Sequence, residues 1–595
     1  MTRILYTIAT AFLLLWVAGC ESIVLDKQPL DIISDPVVWQ DPALVDAFLA
    51  DMYFDTDFLE RRNNSTVNPQ VALSTSMSMI ASLGGEGRSY GGHHGPYQAS
   101  TRPMTAAGVH SQLDYWKYDN IRDCNLLIEK LQTEAELDQS FIDQRIAEAR
   151  FLRAYMYFQM VKRYGGIPLI TEVQTLDTPL GELQVSRNSE KEVYDFIISE
   201  MDDLGQALPS TYDAADKGRP TKWAAYALQS RAAIYAASIA KYGQEQMSGM
   251  LGFPSGDVNG YAQKAISASE TIMNNGIHAL YEAHEDKALN FQNLFLDESD
   301  ANTEVIMSEV YDFGLNRGHA YTARAMPHEY NNSFGVYYFL YDWIERFEYA
   351  SGAPGDSISR ETLASQEWDI QELYGNRDPR FTASVFYPEA DWKGGKVYFH
   401  SGTMRDGELI TSGFAEDGWQ YKAQERNTTK TGFMVRKRTN PNVEPSGGFP
   451  GLKNDDTDYI IFRLGEIFLN LAEAHFYLDQ TAQALDALNA VRERAGMPPK
   501  AEINDDILQN ERLVELSWEN QSYWDERRWR IAEALLDGVR MAGIKWIYNY
   551  ETKKYQIEFI NAEGVPRIFK SHYYYMPLGI SRVADNPNMV ENPGY

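Results

Sequence analysis

Residues 458–500 read DYIIFRLGEIFLNLAEAHFYLDQTAQALDALNAVRERAGMPPK, and their periodicity sets the architecture expected of the chain. Ile460, Leu464, Ile467, Leu471, Ala474 and Leu478 recur every three or four residues, which lays one apolar stripe along an amphipathic helix. After a very short break a second helix is predicted over residues 482–495, burying Leu485, Leu488 and Val491. Gly496, with Pro498 just beyond, supplies its stop. Phe468, Leu471, Ala472, Ala484, Leu488 and Val491 fall at offsets of 0, 3, 4, 16, 20 and 23, the spacing of a tetratricopeptide hairpin. Small Ala472 and Ala484 let the two helices approach closely, so the hairpin presents a surface that stacks on neighbouring repeats. A third helix with an aromatic edge is predicted over residues 509–529.

Working outward, the same logic recurs upstream. Val193, Phe196, Ile197, Met201 and Leu204 make one stripe, and Trp223, Tyr226, Ala227, Ala233 and Ile234 begin another. Ala262, Ile266 and Ser269 repeat the offsets of Ala484, Leu488 and Val491, after a Gly-rich insertion at residues 243–260. Helical periodicity also runs through Leu113, Trp116, Ile121, Cys124, Leu127, Ile128 and Leu131, and over residues 146–164, where Gly165-Gly166-Ile167-Pro168 ends it. Asp41 and Pro42 open a helix with Leu44, Val45, Phe48, Leu49 and Met52 on its buried side. Residues 63–105 are rich in Gly, Ser, Asn and Met and read as loop. Residues 280–458 carry only short β-prone runs, at 382–387 and 396–400, and read as a loop-rich lobe over the helical scaffold. A hairpin is expected over residues 546–560.

Composition narrows the function. The chain has 595 residues, 44% of them apolar, enough to bury a large core. Its net charge of −30 argues against nucleic acid, whose phosphates need a basic surface. Aromatics reach 13%, which suggests exposed rings as well as core rings. At the N-terminus, Arg3 precedes an apolar run at residues 8–17 that is too short to span a bilayer, followed by Val17-Ala18-Gly19-Cys20. Residues 1–19 thus read as an export signal similar to that of a bacterial lipoprotein, with Cys20 the acylated first residue of the mature chain. Cys124 is the other cysteine, so acylation of Cys20 leaves no disulfide partner.

A resemblance emerges from motifs in chain order. Ala149-Arg150-Phe151-Leu152-Arg153-Ala154-Tyr155, Tyr164-Gly165-Gly166-Ile167-Pro168-Leu169 and Asn376-Arg377-Asp378-Pro379-Arg380-Phe381 come first. Arg463-Leu464-Gly465-Glu466, Leu471-Ala472-Glu473-Ala474, Arg494-Ala495-Gly496, Trp524-Asp525, Arg528-Trp529 and the closing Asn592-Pro593-Gly594-Tyr595 follow. Together they resemble the SusD/RagB family of outer-membrane nutrient-binding lipoproteins, with Glu591 replacing a more usual Gln. The resemblance implies one domain over residues 20–595, mainly α, with about four tetratricopeptide-like helix pairs and a loop-rich lobe. It also implies a cell-surface protein that holds glycan for a SusC-like, TonB-dependent barrel, with peptide as the alternative cargo. No cofactor and no catalysed reaction belong to that scheme. Arg150, Arg153, Arg463 and Arg494 are expected to tie helix faces together or cap helix ends.

Motifs for catalysis are missing: there is no nucleophile elbow, His-Glu-x-x-His, Walker loop or Cys-x-x-Cys. A glycosidase needs only two acids adjacent in space, which leaves a surface glycoside hydrolase as the remaining enzyme reading. His93-His94, Asp297-Glu298-Ser299-Asp300 and Asp455-Asp456 lack metal-site spacing and read as solvated loop charge. Rings without a periodic partner lie in the two long loop regions, and binding residues favour loops on rigid scaffolds. Tyr90, Tyr97, Tyr321 and Tyr330 are therefore expected as stacking platforms, with Arg88 and Asn331 as polar neighbours, and Trp392 and Trp419 as the next rings in line.

Overall fold

Several of the long helices begin on a cap that the sequence supplies. Asp41 accepts the Ala43 N–H at 2.9 Å, ahead of Pro42, to open α1 (Pro42–Thr56). α2 (Tyr118–Thr133) and α3 (Gln139–Tyr164) follow, and α3 stops where Gly165 takes a φ of 71°. Ser189 and Glu192 form a reciprocal capping box at the head of α4 (Glu190–Ala207), and Thr221 caps α5 (Lys222–Tyr242). With α6 (Val258–Met273), α7 (Leu464–Tyr477) and α8 (Thr481–Arg494), they make a continuous stack in which each helix from α2 to α8 packs on the next. Buried Ala224, Ala227, Ala232, Ala233, Ala236 and Ala237 let the neighbours close on α5 from all sides. This is the mainly helical, tetratricopeptide-like architecture that the periodicity predicts. The computed structural model describes residues 35–58, 80–89, 100–107, 113–175, 177–312, 314–315, 317–327, 330, 337–351, 357–398, 400–414, 420–422, 429–444 and 455–595.

Three local predictions need correction. α7 begins at Leu464, four residues after Ile460, because Tyr459–Arg463 is a strand paired antiparallel with Val305–Glu309. Tyr-Ile-Ile-Phe is the β-branched and aromatic composition that suits a pleated pair, and Ile460 fits the helical stripe only by spacing. The helix expected over residues 509–529 is two, α9 (Asp505–Glu515) and α10 (Ser522–Arg528). Between them Trp518 and Asn520 adopt left-handed backbone, with φ of 56° and 60°. Residues 382–387 are half helix, Pro379–Ser384, running into the two-residue strand Val385–Phe386.

The lobe lies between α6 and α7 in sequence and is completed by the chain after α10. Its five-stranded sheet has the order Glu367–Trp368, Tyr555–Asn561, Ala542–Asn549, Gly402–Arg405 and Glu408–Ile410. Ala542–Asn549 and Tyr555–Asn561 are the expected hairpin, with Trp546 opposite Ile557.

Scaffold and lobe meet across buried ion pairs. Arg463, at the head of α7, donates to Glu304 at 2.9 Å, to Glu515 at 2.7 Å and to Glu519 at 2.7 and 2.8 Å. Arg494 of α8 reaches the other oxygen of Glu304 at 2.9 Å and also donates to Glu515. From the lobe, Arg380 donates to Glu515 at 2.9 Å and Glu511 at 2.6 Å. Burial alone would raise the Glu515 pKa, but Arg494, Arg463 and Arg380 together hold it far below the usual carboxylate range. Elsewhere Arg150 clamps Glu200 of α4 at 2.8 and 3.1 Å, and Arg153 joins Asn125 of α2 to the same Glu200. The family arginines thus tie helix faces together, as expected.

A second buried cluster yields a pH prediction. Glu473 of α7 accepts from Arg528 at 2.7 Å and from Trp529 at 2.8 Å. Burial pushes its pKa up, but Arg528 and Arg512 outweigh that and bring it down to about 2 from 4.5. A depressed folded pKa stabilises the fold above the unfolded value and loses that contribution as pH falls toward the folded one. In urea titrations, Glu473→Gln should be less stable at neutral pH by about 3–5 kcal/mol. It should also lose stability less steeply than wild type below pH 4.5.

Candidate ligand-binding face

The roots of the two predicted loops are built from a Gly-rich stretch, Gly84-Gly85-Glu86-Gly87-Arg88-Ser89. Gly87–Ser89 is a strand paired antiparallel with Tyr337–Phe339, and Ser89 stands directly opposite Tyr337. The chain therefore leaves toward residues 90–99 and returns from residues 331–336 at two adjacent strand ends. A Cβ on Gly87 would lie 2.5 Å from the Trp518 ring and 2.9 Å from the Tyr338 carbonyl oxygen, so glycine is required for this close approach.

Glu86, fully buried, anchors the root from below. One of its oxygens accepts the Trp518 N–H and the other accepts the Ser522 hydroxyl at 2.7 Å. Burial pushes its pKa up to about 8, and burial likewise raises neighbouring Glu526 to about 7. Both side chains are 0% exposed, so neither is placed to serve as an acid on a bound ligand. The left-handed turn at Trp518, which splits α9 from α10, thus presents the groups that hold the loop root.

Arg88, expected as a polar neighbour of the stacking rings, lies in this strand and is half-buried. Lys430 joins it: burial lowers the Lys430 pKa, and the nearby Arg88 charge lowers it further. Lys430 was not foreseen, since a lone lysine in a polar run carries no periodic signal. Tyr330 is half-buried and donates its hydroxyl to the Lys396 carbonyl at 2.9 Å. Its ring rests against the Asp391–Trp392 and Gly395–Lys396 strand pair, where a Cβ on Gly395 would lie 2.5 Å from the Tyr330 hydroxyl.

Tyr321 is not a stacking platform. It is 1% exposed, donates its hydroxyl to the Lys437 carbonyl at 3.0 Å and packs 5.7 Å from Tyr337. The short helix Tyr321–Ala325 turns this ring inward, beneath the loop roots. Trp392, 3% exposed against Phe386, is core for the same reason. Asp455 is likewise buried rather than solvated, accepting the Thr322 N–H at 2.9 Å. Cys20, Tyr90, Tyr97, His93, His94, Asn331 and Trp419 lie outside the described residues. Among the described residues, no group of three or more His, Cys, Asp or Glu side chains is arranged to hold a metal ion.

Residues 303–595 match the SusD family, and residues 98–234 match a family described as starch-binding associating with outer membrane. The chain belongs to the SusD/RagB family. It is 24% identical over 413 residues to a SusD-like protein of Bacteroides ovatus, an alignment covering 67% of this chain and 61% of that one. A SusD-like protein from Bacteroides fragilis superimposes with a TM-score of 0.72 at 24% identity, over 96% of this chain and 100% of the other. A SusD-like carbohydrate binding protein from the same species gives 0.68 at 22% identity, over 93% and 99%. These likenesses show the same fold in those proteins.

Buried and half-buried rings should behave differently on truncation. Tyr321→Ala is expected to cost about 3–5 kcal/mol in thermal or chemical unfolding, as for other buried rings. Tyr330→Ala should cost less than about 1.5 kcal/mol. Gly87→Ala should destabilise by about 1–3 kcal/mol through overpacking against Trp518, seen as a lowered melting temperature.

Proposed function

We propose that the mature chain, residues 20–595, is a binding protein anchored by acylated Cys20 at the outer face of the outer membrane. There it captures a glycan and delivers it to a SusC-like, TonB-dependent barrel. The observation that carries the reading is the pairing of Ser89 with Tyr337, which sets the roots of the two predicted aromatic loops side by side, held through Glu86 by the α9–α10 turn. Rigid roots keep the ordering cost of binding low while the loops supply specificity. Aromatic faces suit the apolar C–H surfaces of sugar rings, and Arg88 and Lys430 add hydrogen-bond donors for hydroxyls or carboxylates. The name of the similar Bacteroides fragilis carbohydrate binding protein supports glycan as the cargo. In this reading Tyr90, Tyr97 and Tyr330 supply stacking surface and Arg88 and Asn331 supply polar contacts, while Tyr321 supports them from below.

A glycan array probed with the protein carrying Cys20→Ala should return glycan hits. Binding confined to peptides would replace the cargo and keep the role. Any bound glycan should be recovered intact, whereas new reducing ends beyond stoichiometric amounts would establish a glycoside hydrolase. Arg88→Ala and Tyr330→Ala should each weaken capture about fivefold to tenfold, read by calorimetry. Palmitate labelling of cells should mark the wild-type protein and leave Cys20→Ala unlabelled.

A further inference from the structure

Side chains alternate between the two faces of the paired strands at the loop root. Gly87 lies against the Trp518 ring, and Phe339 and Tyr337 on the partner strand pack on the same indole, with ring centroids 5.6 and 5.7 Å away. Arg88 and its cross-strand neighbour Tyr338 therefore face the opposite side. The chain around Lys430 is brought there by the strand Ala542–Asn549 and the residue before it. A Cβ on Gly85 would touch the Met541 methyl at 3.8 Å, and a Cβ on Gly543 would lie 2.9 Å from Thr431 Cα and 3.4 Å from the Lys430 carbonyl oxygen. Just downstream, the strand Met434–Val435 packs beside Tyr337–Phe339.

Lys430 is carried on a turn that the surrounding hydrogen bonds fix. The Thr429 hydroxyl oxygen accepts the Thr431 N–H at 3.3 Å and the Gly432 N–H at 3.1 Å. The Thr431 carbonyl accepts the Ile544 N–H at 2.9 Å, and the Gly432 carbonyl accepts the Trp546 indole N–H at 3.0 Å. A side chain on such a mount is positioned before any ligand arrives, which lowers the ordering cost of using it.

Its charge is unmatched. Half-buried lysines elsewhere in the chain are paired: Lys500 lies 2.8 Å from Glu348 and Lys393 lies 2.9 Å from Glu444. Among the described residues no carboxylate forms an ion pair with Lys430, although the chain has 84 acidic residues against 54 Lys and Arg. Carboxylates on neighbouring segments are committed elsewhere. Asp342, which accepts the Ala542 N–H at 2.6 Å, pairs with Arg360 at 2.9 Å, and Glu563 pairs with Arg567 at 2.8 Å. Burial and then the like charge of Arg88 both disfavour the Lys430 ammonium. An anion held by the two side chains relieves that repulsion, whereas an uncharged polyol leaves it in place.

We infer that the loop face takes an acidic glycan, with an anionic group on one sugar ring held between Lys430 and Arg88. The inference rests on the glycan-capture reading above and names the class of its substrate. Arg88 offers a planar fork of donors and Lys430 a compact point charge, so the pair suits a carboxylate or a sulfate ester. Uronate rings present the first and sulfated sugars the second.

The test is an array of uronate-bearing, sulfated and neutral oligosaccharides, probed with the protein carrying Cys20→Ala. Acidic oligosaccharides should dominate the hits, and the acidic class that binds identifies the source. By calorimetry, neutralising a hit, through methyl esterification of the uronate or removal of the sulfate, should weaken it by about tenfold or more. Added salt should narrow that gap. In Lys430→Met the gap should close to about twofold or less, and Lys430→Arg should restore most of it. The melting temperature of Lys430→Met should equal or exceed that of wild type, because a like charge leaves the side of Arg88. If the variant does not fold, the comparison of each hit with its neutralised form on wild type still decides. Hits confined to neutral oligosaccharides would overturn the acidic class and leave glycan capture standing, and an array with no glycan hit would overturn both. A gap that persists in Lys430→Met would overturn the assignment of the anion to this pair.

Discussion

The buried carboxylate of Glu515 is the constraint on which the two halves of the molecule depend. It accepts from Arg463 and Arg494 of the scaffold and from Arg380 of the lobe, in a region where no solvent is left to share the charge. Assembling such a cluster takes several ions out of water, and only near-complete pairing offsets that cost. The network is therefore weak evidence of extra stability but a strong determinant of geometry. An arginine missing one carboxylate would be left incompletely paired in the interior, which disfavours any docking of the lobe in another position. Lys437, which donates to Glu519 at 2.6 Å and to the Ser517 carbonyl at 2.8 Å, extends the network to the turn that holds Trp518. Trp518 and Ser522 in turn hold Glu86, and Glu86 holds the loop root. A chain of hydrogen-bonded groups thus runs from the helical stack to the Gly87–Ser89 strand.

The sequence showed the scaffold clearly because a 3.6-residue period survives in helices that keep an exposed face, such as α4 and α6, and the arginine motifs anticipated the ion pairs between helix faces. Its failures were local and physical. The strand Tyr459–Arg463 precedes α7 without a break, so its apolar residues merged with the helical stripe. The turn at Trp518 and Asn520 contains neither glycine nor proline, and its backbone is fixed by tertiary hydrogen bonds. Lobe strands of two to five residues are too short to show a period of two.

Of the expected site residues, the described ones divide by burial. Arg88 lies in a strand whose pairing sets Ser89 opposite Tyr337, and Tyr330 is half-buried. Tyr321 misled because absence of a helical partner was read as exposure, whereas the ring is buried by contacts distant in sequence. Glu86 was passed over because a carboxylate flanked by glycines looks solvated. Here the glycines serve instead to bring its backbone close against Trp518.

That Glu515 fixes the lobe, and through it the paired strands Gly87–Ser89 and Tyr337–Phe339, is tested most directly by native-state hydrogen exchange on wild type and Glu515→Ala. In wild type the amides of Gly87–Ser89, Tyr337–Phe339 and Val305–Glu309 should exchange with free energies close to those of α3 and α5. In Glu515→Ala those lobe strands should lose about 3–5 kcal/mol of protection relative to α3 and α5, having become a separate opening unit. An equal loss throughout the chain, or no loss at the lobe strands, would contradict the account.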